Sequence, residues 1–67
     1  MSMPDLKAAF RYELLRDQAL GLDPVKIQQD RFNLIWDHMP HLVPALSNRV
    51  RADINEAIAR IVTDAMS

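Results

Sequence analysis

The chain has 67 residues, 49% of them hydrophobic, with no cysteine and a formal net charge of −1 from nine acidic and eight basic side chains. Such a length supports one small domain, and domains near this size bury only about 60% of the surface that their unfolded chains expose. Disulfides are excluded, two histidines fall short of the usual zinc ligand sets, and well-mixed charges supply no long-range field for a polyanion; oligomerisation is the route left to stability.

A single glycine argues against turn-rich β architecture and against disorder, so the expected class is all-α. The stretch Met1-Ser2-Met3-Pro4-Asp5 carries neither a basic segment nor an apolar run of signal-peptide length. No run of about 18 apolar residues occurs, and a cytoplasmic protein without a membrane span is expected.

The first helix is expected over residues 3–20. Ser2 is its N-cap, Pro4 lies in the first turn, and Asp5 stands three residues after the cap to complete a capping box. Leu6, Phe10 and Leu14 form one apolar stripe, while Ala8, Tyr12, Leu15 and Ala19 form a second on roughly the opposite side. Gly21 sits where a left-handed residue would end the helix, with Leu22 folding back as in a Schellman turn.

Asp23-Pro24 restarts a helix at once, Asp23 as N-cap and Pro24 at the first helical position. So short a link makes the first two helices neighbours, antiparallel or steeply crossed. The second helix is expected over residues 24–39 and is stopped by Pro40. Val25, Phe32, Ile35, Trp36 and Met39 share one face, whereas Ile27 and Leu34 point the other way. Phe32 and Trp36 are i,i+4 neighbours, a pairing commoner in cores than at docking anchors, though the two roles merge in an obligate dimer.

The third helix, expected over residues 43–66, is the most strongly patterned. Leu46, Val50, Ile54, Ala57, Ile58, Ile61 and Ala65 project onto one arc. Arg49, Asp53, Glu56, Arg60 and Asp64 fill the other side at spacings that favour i,i+4 pairs, a solvated face rather than an electrostatic docking strip. A helix of that length spans roughly 33 Å against about 23 Å for the second, so it overhangs a monomeric bundle. Asp53 interrupts a strict heptad, which favours ridge-into-groove packing over a long coiled coil.

Chemistry-bearing patterns are sparse. His38 and His41, beside Asp37, are the one cluster resembling a metal site, but Pro40 lies between them. The plainer reading makes His38 a helix-end residue and His41 part of a connector, with no metal or cofactor expected. No nucleophile elbow, phosphate-cradling glycine loop or H-E-x-x-H occurs, and no enzymatic activity is expected. No helix pairs a lysine-rich face with a bulky apolar one, so a membrane surface is not an expected partner.

The expected fold is a three-helix bundle or helical hairpin with a long C-terminal amphipathic helix, completed by homodimerisation. The expected role is protein–protein interaction as a regulator, adaptor or accessory subunit that masks a partner surface. Its interface would use Phe10, Tyr12, Leu15, Ile27, Phe32, Leu34 and Trp36, because the first two helices carry more apolar surface than one bundle hides. The alternative is a helix-turn-helix that reads DNA through Ser47, Asn48, Arg49, Arg51 and Asn55 near the start of the third helix. The acidic balance, the prolines flanking the turn and the absence of a second basic segment make nucleic acid the less favoured partner.

Overall fold

A computed structural model describes residues 2–38 and 48–67. Three helices make up the described chain: α1 over Met3–Ala19, α2 over Pro24–His38 and α3 over Asn48–Met66. Each contacts the other two, α2 with α3 most extensively. Residues 39–47, which include the expected ends Met39 and Val43 together with Leu46 and Ser47, lie outside the described residues.

The local signals at the helix ends operate as their chemistry requires. Ser2 Oγ accepts from the Asp5 amide at 3.4 Å while Asp5 Oδ2 accepts from the Ser2 amide at 3.4 Å and hydroxyl at 2.8 Å, so the capping box closes in both directions. Leu20 proves to be the C-cap rather than the last helical residue. Beyond it Gly21 takes φ +80°, and the Leu22 amide donates to Asp17 O and the Gly21 amide to Gln18 O, both at 3.0 Å. That is a Schellman closure, and it turns the chain within two residues. Asp23 Oδ1 then accepts from the amides of Val25 at 3.0 Å and Lys26 at 3.2 Å, capping α2 over a buried Pro24.

The interior is small. Among the described residues Leu14, at 0% exposure, and Val62, at 1%, are the buried hydrophobic side chains. The accessible surface is 5131 Å², roughly 800 Å² more than the ~4,300 Å² expected of a compact protein of this mass. A Cα radius of gyration of 13.4 Å likewise exceeds the ~11 Å of a fully compact chain of this length.

Two expectations about buried faces need correction. Ile61, expected on the inward arc, is 59% exposed, while its neighbour Val62, which the apolar arc omits, is buried. Ile35, expected to share the inward face of α2, is 53% exposed, and Leu6 on α1 is also exposed. The cause lies between α2 and α3, where a cluster of amides and one guanidinium rather than an aliphatic stripe occupies the contact. Asn55 Nδ2 donates to Asn33 Oδ1 at 3.0 Å, Asn33 Nδ2 to Asn55 Oδ1 at 3.3 Å, and Arg51 Nε to Asn33 Oδ1 at 3.1 Å. Gln29 Nε2 adds a bond to Asn55 O at 3.0 Å. Val62, seven positions on from Asn55 and about 20° from it around the helix, is buried on Asn55's side of α3, roughly 100° from the centre of the apolar arc. Ile61 is carried outward. The same pairing draws α2 toward Asn33 and leaves Ile35 at the edge.

Arg49, Asp53, Glu56, Arg60 and Asp64 are all exposed, as a water-facing side requires. Their expected i,i+4 pairs are not closed to salt-bridge distance; the i,i+4 pair that does form among the described residues is Lys26–Asp30, at 3.1 Å on α2.

Candidate functional site

Where α1, α2 and α3 converge, the displaced side chains frame an open apolar hollow of about 300 Å³. Phe10 contributes from α1, Phe32 and Ile35 from α2, and Ile58, Ile61 and Val62 from α3, with Gln28 and Arg31 at the margin. A second hollow of about 330 Å³ adjoins it, lined by Lys7, Phe10, Ile61, Asp64 and Ala65. Phe10 and Ile61 line both, so the two hollows adjoin as one apolar surface.

The wall on the α2 side is rigidly built. Phe32 and Trp36 meet edge to face, with centroids 5.7 Å apart and planes at 63°. The Arg51 guanidinium stands 5.8 Å from the Trp36 ring centroid and also donates to Asp37 Oδ1 at 2.8 Å. At the margin Arg31 Nη1 reaches Glu13 Oε1 at 2.7 Å, tying α2 to α1. Lys7 and Asp64 flank the second hollow, and neither side chain is engaged by another described residue.

Among the described residues, two buried polar atoms have no hydrogen-bond partner, Gln28 Nε2 and Asp17 Oδ2. The other carboxylate oxygen of Asp17 is 3.5 Å from Arg16 Nη2. Such atoms cost free energy for as long as they stay unpaired.

The seven residues expected at an interface divide into three groups. Phe10 and Phe32 line the hollow. Tyr12, 70% exposed, and Leu15 stand on the far side of α1, and Leu34, 59% exposed, on the outer side of α2. Ile27 and Trp36 are half-buried, Trp36 within the aromatic wall. Residues that pattern reading passed over as surface formers are Ile35, Lys7 and Asp64, and the available signal was the run of polar side chains Gln29, Asn33 and Asp37, at i,i+4 spacing, facing Arg51 and Asn55.

Of the five side chains considered for DNA, Arg51 and Asn55 are engaged with α2, Asn48 and Arg49 are exposed, and Ser47 lies outside the described residues. His38 Nδ1 sits 3.0 Å from Leu34 O, the helix-end contact expected of it, while His41 lies outside the described residues. Among the described residues no group of three or more His, Cys, Asp or Glu side chains could hold a metal ion, and no helix is long and apolar enough to cross a membrane. No protein-family model, curated protein or solved structure matches the chain.

Proposed function

We propose that this chain is a small non-enzymatic protein–protein interaction module, a regulator, adaptor or accessory subunit that works as a helical homo-oligomer and masks a partner surface. The observation that carries the reading is the mismatch between interior and exterior: Leu14, Val62 and Pro24 are the buried apolar side chains among the described residues, while Tyr12, Leu34, Ile35 and Ile61 stand more than half exposed. Exposed apolar groups of this size, distributed over two sides of so small a body, are the ordinary mark of surfaces that meet other chains.

The outer stripe of α1 is the face for a foreign partner. Ala8, Tyr12, Leu15 and Ala19 are all exposed there, and they lie about 160° around the helix from the Phe10–Leu14 stripe that packs inward. A charge placed in an apolar contact costs several kcal/mol, so Tyr12→Glu and Leu15→Glu should abolish partner capture from the native host. Circular dichroism should show unchanged helicity, because neither side chain is buried. Capture that survives both substitutions refutes the outer stripe as the partner face. Sequence-selective retardation of duplex DNA at physiological salt, lost on Arg49→Ala, refutes the protein-interaction reading itself.

A further inference from the structure

We infer that the paired hollows around Phe10 and Ile61 are the seat of a second copy of this chain, joined across a two-fold axis with Lys7 of each copy against Asp64 of the other. The inference rests on the interaction-module reading and assigns its self-association to one face.

Two observations lead to a second copy rather than a foreign occupant. The first is shape. Ile61, 59% exposed, lines both of two open apolar hollows of about 300 and 330 Å³, so the surface presents both an apolar side chain that stands out and recesses to receive one. A two-fold contact demands this self-complementarity, since whatever residue i meets on its partner must meet residue i in return.

The second is charge. Lys7 and Asp64 flank the same hollow with opposite signs and no ion-pair partner among the described residues. Two-fold exchange brings each against its complement on the other copy, making two ion pairs from one unpaired set. Arg31, the other charged lining residue, is already neutralised by Glu13 at 2.7 Å, and a chain of net charge −1 does little to repel its own copy.

The test exploits the charge exchange, because Lys7 and Asp64 are exposed and their reversal leaves the fold intact. Sedimentation equilibrium of the unaltered chain at micromolar concentration should give twice the 7.7 kDa chain mass. Lys7→Glu and Asp64→Lys, each alone, set like charges against each other twice and should weaken self-association by about tenfold or more. Mixed in equal amounts, the two variants should recover the affinity of the unaltered chain as a heterodimer, since each then supplies what the other lacks. Ile61→Glu, at a position 59% exposed in the single chain, should abolish association with helicity retained. A monomer across this concentration range overturns the proposal and leaves the outer α1 stripe and its partner assay untouched. A dimer that survives Ile61→Glu, or whose charge variants show no preference for each other, assigns self-association to another face and overturns it equally.

Discussion

The contact between α2 and α3 and the hollow beside it use the same two helices and are solved by opposite chemistry. In the first, Asn33, Asn55 and Arg51 interlock through hydrogen bonds of 3.0 to 3.3 Å, and the part-buried Asn33 and Asn55 amides are each other's partners. In the second, Ile35, Ile58 and Ile61 line an open hollow. The two are connected by cause. Directional bonds fix the rotation of both helices, whereas apolar contact is indifferent to rotations of a few tens of degrees, so the polar cluster sets the register and the aliphatic side chains take what remains. A seam satisfied in this way specifies an arrangement more sharply than it stabilises one, because a net hydrogen bond contributes only about 1 kcal/mol while a buried Leu or Ile contributes about 1.5–3.

The largest effect should come from the small buried core, at a residue outside both regions. Leu14 is fully buried, and Leu14→Ala should cost about 2–5 kcal/mol, a large part of the stability of so small a domain. Thermal denaturation followed by circular dichroism should show the cooperative transition lowered by more than ten degrees or lost. A transition moved by less than a degree or two would mean that α1 is not anchored through Leu14 and that the hollow has no third wall.

A smaller effect should come from the seam. Asn33→Ala removes the acceptor shared by Asn55 Nδ2 and Arg51 Nε, leaving part-buried donors unpaired at a cost of about 1–3 kcal/mol. The double substitution with Asn55→Ala should cost clearly less than the two single changes summed, with a coupling of about 0.5–3 kcal/mol, because each residue loses the same bonds. Trp36, the only tryptophan, reports the same region, since Arg51 lies 5.8 Å from its ring and is held to Asn33. Its fluorescence should shift in Asn33→Ala and stay fixed in Lys7→Glu. Strict additivity in the cycle would show that the amides do not act as a unit and that something else sets the helix rotation.

How much of this could be read from sequence follows from the range of the signals. Capping at Ser2 and Asp5, the turn at Gly21 and the restart at Asp23-Pro24 involve residues within a few positions of each other, and each took the expected form. The surplus of apolar surface was also legible, since it needs only a count of apolar faces per helix, and Tyr12 and Leu34 are exposed accordingly. The rotation of α3 was not legible. Its apolar arc runs from Leu46 through Ala65, and choosing Val62 over Ile61 for the interior depends on whether Asn55 finds an amide on α2, which no spacing along α3 records. The hollow was missed for the same reason, because it is the consequence of two helices each turned away from their apolar centres.

The smallest effect sharpens the contrast best, and it uses two adjacent residues. Arg60 and Ile61 sit side by side on α3, both exposed in the single chain, one charged and the other lining both hollows. At concentrations low enough to dissociate any dimer, Arg60→Ala and Ile61→Ser should each change stability by less than about 1 kcal/mol, as exposed positions without buried partners do. The difference between them should appear only as concentration rises. Association with the folded state raises the melting temperature by mass action, so the unaltered chain and Arg60→Ala should melt higher when concentrated, while Ile61→Ser should melt at one temperature throughout. A large loss for Ile61→Ser in the dilute chain would place Ile61 in the interior after all, and with it the rotation of α3 that the Asn33–Asn55 pairing explains.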